Sequence, residues 1–280
     1  MQTSFQVLLY HISAMIKYCL RFKLFSNLKG EYKMKKMFVV AAAVLCGSLF
    51  AAPAPVLEFK LDDPDLAKAV NTGSQQPGMK LKAYMAEHFG AGEGRKGNKV
   101  LAFNNLTEKQ LTKKIAGLEI PQTAYKMDFS KPFSFMAFVK INDKLNNKGP
   151  QYTIAGTATS DVGPGWRLFY SWYSFRFFSG VGKNKPKDLI TDISVNYQKT
   201  KLDAAKWNHL AVVYNGTTVA LYLNGKLETE KPMQVVNNRG PLNIGCYNNG
   251  YAYGMAGMIN DVKFYDKALT AEEVAAEAAK

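Results

Sequence analysis

Cysteine, histidine, acidic side chains and long apolar runs are all scarce in this 280-residue chain, and each shortage excludes something. The three cysteines are Cys19, Cys46 and Cys246, and the first two lie in a stretch expected to be removed. A single remaining thiol excludes a disulfide framework within the mature chain. Cys246 follows Ile244 and Gly245 in a predicted strand and reads as a small buried hydrophobe. Of three histidines only His88 and His209 lie beyond residue 51, and no Cys/His cluster has zinc spacing. Acids number 22 against 36 Lys and Arg, a formal charge of +14. Met1 to Ala51 holds seven of those bases and one acid, which leaves 29 against 21. That excess is scattered, densest at Lys183, Lys185 and Lys187, and reads as a solvated surface rather than a nucleic-acid footprint. Acidic polysaccharide or an anionic cell surface fits the same charge.

The longest apolar run, Phe38 to Phe50, is too short to span a bilayer. It follows the basic Met34-Lys-Lys-Met37, so residues 34–51 read as a secretory signal peptide cleaved after Ala51. The bulky Leu45 before Cys46 argues against a lipid anchor. Residues 1–33 read as an upstream extension outside the fold. The mature chain is then expected to be secreted, periplasmic or at the cell surface, and not membrane-spanning.

What is abundant is strand. Trp207-Asn-His-Leu-Ala-Val-Val-Tyr214 and Thr217-Thr-Val-Ala-Leu-Tyr-Leu223 flank Asn215-Gly216, predicting a hairpin with a type I′ turn, and Asn224-Gly225 is predicted to end the returning strand. Apolar residues occupy both alternating sets of the first run, which marks a central strand. Phe133 to Ile141 places Phe133, Phe135, Ala137, Val139 and Ile141 on one face. Gly165 to Tyr170 and Phe175 to Phe178 form a second predicted hairpin with Trp172 and Tyr173 at its tip. Further strands are expected at Val56–Leu61, Val100–Phe103, Tyr152–Gly156, Ile190–Tyr197, Val235–Asn238, Leu242–Cys246 and Met258–Tyr265. Gly90 to Gly97 reads as a flexible loop, Asp65 to Val70 as a helical turn, and Thr107-Glu-Lys-Gln110 as a cap before a brief helix. Thr270-Ala-Glu-Glu273 is a capping box opening a terminal helix over 270–280. About a dozen strands with little helix predict an all-β chain, accommodated by a two-sheet antiparallel jelly-roll sandwich in one domain over 52–280, its core at 56–269.

The Trp207–Gly225 stretch resembles the signature hairpin of LamG-like domains, of laminin G or pentraxin type, in the concanavalin A-like lectin/glucanase superfamily. Pro241 to Gly245, Gly257 to Tyr265 and Asp266 to Glu273 are similar to that family's closing strands and helix start, and Phe133 to Ile141 resembles another of its strands. The resemblance implies a concanavalin A-like jelly roll. It also implies a candidate structural Ca²⁺, for which Asp62, Asn71 and Asp261 are the nominated ligands, with Asp63 and Asn260 beside them. Asn260 stands where the family more often carries Asp.

Catalysis finds little support in these residues. Retaining glycosidases need two carboxylates about 5 Å apart, and the family's Glu-x-Asp-x-x-Glu strand is missing. Glu228, Glu230, Glu272, Glu273 and Glu277 read as solvated charges, and His209 as a structural strand histidine. Binding needs less: flat aromatic faces for sugar C–H surfaces, and polar groups for hydroxyls. Trp172 and Tyr173, with Trp166 and Tyr170 nearby, supply one such mixture. Tyr247, Asn248, Asn249, Tyr251 and Tyr253 supply the other. The expectation is a non-catalytic lectin-like module for a glycan or polysaccharide. An extracellular protein-interaction or adhesion module is the alternative, and a glycoside hydrolase using acids such as Asp161 or Asp192 is a third reading.

Overall fold

The long alternating runs pair as antiparallel strands in two stacked sheets. The computed structural model describes residues 52–105, 115–142, 151–159, 163–181, 191–200, 202–238 and 240–280. The signal-peptide and upstream readings of residues 1–51, the Thr107–Gln110 cap, Asp161 and the Lys183–Lys187 cluster lie outside the described residues.

In chain order the strands are β1 Leu57–Phe59, β2 Lys82–Tyr84, β3 Phe89–Glu93, β4 Lys99–Asn104, β5 Gly117–Ile120, β6 Phe133–Ile141, β7 Tyr152–Gly156, β8 Gly165–Ser171, β9 Ser174–Gly180, β10 Asp192–Ser194, β11 Asn208–Tyr214, β12 Thr218–Leu223, β13 Lys226–Pro232, β14 Leu242–Ile244 and β15 Ala256–Tyr265. The α-helices are α1, Tyr197–Thr200, and α2, Ala271–Ala278. One sheet runs β13-β12-β11-β6-β15-β4-β3, with β1 also paired to β15. The other runs β10-β9-β8-β7-β14-β5-β2. This is the expected two-sheet jelly-roll sandwich with its short C-terminal helix.

Period-two alternation aims one face of each strand into the space between the sheets. Trp166 of β8 is fully buried there, with Phe129, Phe133, Phe135 and Phe177 at ring-centroid distances of 5.4, 5.6, 5.9 and 5.9 Å. β11 is central, as its two apolar faces predict: Leu210, Val212 and Tyr214 enter this core, while Ala211 and Val213 join Met136, Ala220 and Tyr222 in a second cluster that includes Val274 of α2. The Thr270 capping box that opens α2 is present in full.

Four local expectations are corrected. Of the two Asn-Gly pairs, Asn224-Gly225 makes the tight β12–β13 turn, with both residues at positive φ (50° and 78°). Asn215-Gly216 belongs to a longer link in which Asn215 Oδ1 accepts from the backbone N–H of Thr217 and Thr218 at 2.9 and 2.8 Å. The strand β13 that follows is polar on both faces (Lys-Leu-Glu-Thr-Glu-Lys-Pro) because it is a sheet edge, where charge discourages further pairing. The glycine-rich Phe89–Glu93 segment is strand β3, antiparallel to β4, and not loop. Val235–Asn238 forms no strand, and the expected Ile190–Tyr197 strand shortens to Asp192–Ser194 with Tyr197 opening α1.

Candidate functional site

In the β8–β9 hairpin the inward set is Trp166, Leu168, Tyr170, Phe175 and Phe177, so the outward set is Arg167, Phe169, Ser171, Arg176 and Phe178. β10 adds Asp192 opposite Phe178. The two-residue turn closing this hairpin is Trp172-Tyr173, with φ of 52° and 61°. Such turns favour Asn-Gly, and L-residues with a Cβ pay roughly 1–2 kcal/mol each in left-handed backbone. Two bulky aromatics therefore sit where local energetics least favours them, 65% and 50% exposed. Backbone strain with apolar surface facing solvent is an arrangement associated with ligand sites.

The second predicted stretch is a compact loop after β14. Asn248, Asn249 and Gly250 all have positive φ, and Tyr247 bridges Ala252. The loop is fastened to the outer face of the same sheet. Asn249 N–H donates to Asn243 Oδ1 at 3.2 Å, and Thr153 N–H of β7 donates to the Tyr253 carbonyl at 3.0 Å. Gly250, at φ 79°, sits against the Tyr84 ring, where an added Cβ would meet the ring at 3.0 Å. Tyr247 is buried, Tyr253 is half-buried with its ring 5.5 Å from that of Tyr247, and Tyr251 projects at 72% exposure.

Arg167 joins the two stretches. Its guanidinium lies 4.3 Å from the Phe169 ring and 4.8 Å from each of Tyr247 and Tyr253, and donates to Gln151 Oε1. The arginine is buried, so its contacts are cation–π and planar packing rather than a surface charge. Sequence reasoning missed it. The alternation Trp166, Leu168, Tyr170 was the available signal, since it leaves Arg167 outward among the aromatics. Beside it is an open depression of about 180 Å³ lined by Gln151, Arg167, Phe169, Ser171, Trp172, Arg176, Phe178 and Asp192. Arg176 forks onto Asp192, with Nε to Oδ1 at 3.3 Å and Nη2 to Oδ2. The volume is below the roughly 300–1,000 Å³ of drug-sized pockets, so a ligand here lies across the sheet rather than inside it.

The structure thus brings Trp172 to the depression and links it through Arg167 to Tyr247 and Tyr253. Tyr173 shares the hairpin tip, and Asn248, Asn249 and Tyr251 form the turn of the loop. Trp166 and Tyr170, which the sequence placed close by, are core residues.

The Laminin_G_3 family model, described as the concanavalin A-like lectin/glucanases superfamily, matches residues 116–275, more than half of the chain. The chain belongs to this family. No curated protein matches it. Solved structures similar to this Laminin_G_3 chain include the binding domain of Paraclostridial Mosquitocidal Protein 1 (TM-score 0.58, 14% identity, 80% of this chain and 52% of that one). Domain 4 of AbnA, a GH43 extracellular arabinanase from Geobacillus stearothermophilus, in complex with arabinotriose, is similar at TM-score 0.56 and 15% identity, covering 81% and 98%. The binding domain of botulinum neurotoxin DC, in complex with rat synaptotagmin II, is similar at 0.58 and 13%, covering 81% and 51%. At these identities the likeness is one of fold, and the chain spans about half the length of the two toxin binding domains.

The Ca²⁺ ligands that the LamG-like resemblance nominated do not fit a metal shell. Asn71 is buried with both ends of its amide engaged: Oδ1 accepts from Glu58 N–H at 2.8 Å and Gly73 N–H at 3.0 Å, and Nδ2 donates to the carbonyls of Gln75 and Gln76. It pins the 71–76 loop to β1. Asp261, in the left-handed bulge of β15, forms an ion pair with Arg95. Asp62 is exposed. Among the described residues no three His, Cys, Asp or Glu side chains gather as a metal-holding group.

The outward acids of the seven-stranded sheet are also engaged, Asp192 by Arg176 and Glu119 by the Tyr84 hydroxyl and Lys82. His209 lies on the other sheet, buried edge-on against Phe138 at 4.8 Å. Burial lowers its pKa to about 4, against a smaller opposing pull from Glu277. Cys246 is buried beneath the loop, and burial pushes its thiol up to about 12.

Proposed function

We propose that the chain is a secreted, non-catalytic carbohydrate-binding module whose site is the β7–β10 face together with the Tyr247–Tyr253 loop. The observation that carries this reading is the Trp172 side chain, held exposed on left-handed backbone at the rim of a depression with a polar and aromatic floor. An indole face takes up the C–H side of a sugar ring, and the depression supplies Gln, Ser, Arg and Asp groups for its hydroxyls. The family match and the fold likeness to an arabinanase domain solved with arabinotriose support the same reading.

A glycan and polysaccharide array tests it, with wild-type protein beside Trp172→Asn, which suits the turn but removes the platform, and a Tyr251→Ala/Tyr253→Ala variant. Sugar-selective binding lost in Trp172→Asn is the expected result. Absence of binding to every sugar moves the protein-interaction module to first place. That second reading draws on the same exposed Trp172, Tyr173 and Tyr251 surface and on the likeness to a toxin binding domain solved with rat synaptotagmin II.

A further inference from the structure

We infer that the sugar held in this depression is an uncharged, hydroxyl-rich ring, and that the Ser171 hydroxyl is a specificity-determining hydrogen-bond partner within it. The inference rests on the carbohydrate-binding reading above and names the class of ligand.

Two observations carry it. Ser171 is 1% exposed, points to the outer face with Arg167 and Phe169, lines the depression, and its Oγ has no hydrogen-bond partner. A buried hydroxyl without a partner is destabilising, so its retention at the floor of a concave site points to a partner supplied by the ligand. The oxygen is closed off from solvent at the edge of the depression, so a ligand meets it only after neighbouring side chains shift.

The second observation is how the two cations of the depression are used. Arg176 turns its Nε and Nη2 onto Asp192, the fork geometry by which arginine would otherwise take a ligand carboxylate or sulfate. Arg167 is packed flat among Phe169, Tyr247 and Tyr253 and hydrogen-bonded to Gln151. An acidic sugar would have to displace Asp192 or face its charge. Hydroxyls meet no such cost, since they donate to the remaining carboxylate lone pairs and accept from guanidinium N–H groups. The two arginines therefore line this site without making it a site for an acidic ligand.

Isothermal titration with neutral arabino-, xylo-, cello- and manno-oligosaccharides, and with polygalacturonate, alginate and heparin, at 50 and 500 mM NaCl decides the point. A neutral oligosaccharide is expected to bind with affinity changed less than twofold by salt, because no ion pair forms on binding. Ser171→Ala is expected to weaken it roughly threefold to tenfold, the range of one hydrogen bond, with a melting temperature unchanged or raised, since the variant removes an unpartnered polar atom. A purely structural serine would leave affinity unchanged, and that result overturns its assignment. Binding of the polyanions alone, falling steeply with salt, overturns the neutral-ligand inference while the carbohydrate module stands. Binding of neither class overturns both.

Discussion

Acidification should destabilise this fold through His209, starting below about pH 6.5. The imidazole is 2% exposed on β11, edge-on to Phe138, with its Nδ1 unpartnered. Burial is the main cause of its pKa of about 4, with Lys263 and Arg95 lowering it further and Glu277 opposing. In the unfolded chain the value is about 6.5, so between pH 4 and 6.5 the unfolded state binds more protons and stability rises with pH. The contribution is fully present above about pH 6.5 and lost by about pH 4. The difference corresponds to about 3 kcal/mol, or roughly 6–12 °C in melting temperature for a domain of this size. Glu277 behaves separately. Burial raises its pKa, but hydrogen bonds from Lys263 and Lys280 outweigh that and leave it below the ordinary 4.5, so its pairing is lost only under more acid conditions. Urea unfolding of wild type and His209→Gln at pH 7.5, 6.5, 5.5 and 4.5 isolates the effect, because the difference between them cancels every titrating group that does not interact with His209. That difference should shrink by about 2.5 kcal/mol by pH 4.5. A flat difference, or an imidazole resonance that titrates near 6.5, would refute the reasoning.

Trp172→Asn should lower glycan affinity at least tenfold while thermal stability holds or rises, because Asn tolerates the left-handed turn and the indole is mostly exposed; calorimetry with paired thermal scans reads both. Thr270→Ala removes the cap that accepts from Glu273 N–H and should cost about 1 kcal/mol, a fall of roughly 2–4 °C, with binding unchanged since α2 packs on the opposite sheet. Cys246 should resist iodoacetamide in the native protein and react stoichiometrically in urea, read by mass spectrometry, because its thiol is buried and its pKa pushed up to about 12.

Strands whose two faces have different fates were legible from residue order. Phe133–Ile141 shows its core face as every second residue, and β11 announces its central place by being apolar on both faces, one against the core and one beneath α2. Segments whose conformation is set by their neighbours were not. β13 pairs only along one side and keeps a polar composition, and Phe89–Glu93 is a strand because β4 offers it an edge, against the preference of its two glycines. The two Asn-Gly pairs are identical as dipeptides. Only their surroundings decide that Asn224-Gly225 takes the tight turn, where Gly225 packs against Ala275 and Ala278 of α2.

The candidate site divides in the same way. Its outer parts, Trp172-Tyr173 and the Tyr247–Tyr253 loop, stand out as aromatics in turn-forming contexts, but nothing in the order of residues says that they meet. They meet because β14 pairs with β7 and β7 with β8, so that Asn243, Gly156 and Arg167 fall in one row across the sheet. Gly156 carries no side chain between its neighbours, which lets the Arg167 guanidinium and the tyrosine loop approach over the middle of that row. The outer face of the eight-stranded sheet has a different use: α2 covers it with Val274, and the Lys263–Glu277 pair lies at that contact. The terminal helix covers only part of that face, and an open depression of about 330 Å³ lies over Gly92, Ala102, Lys140 and Met258, but the seven-stranded sheet is the face that keeps exposed aromatics around a polar floor. It follows that substitutions under α2 should change stability and spare binding, those at Ser171 or Trp172 should do the reverse, and those at the buried, packed Arg167 should change both.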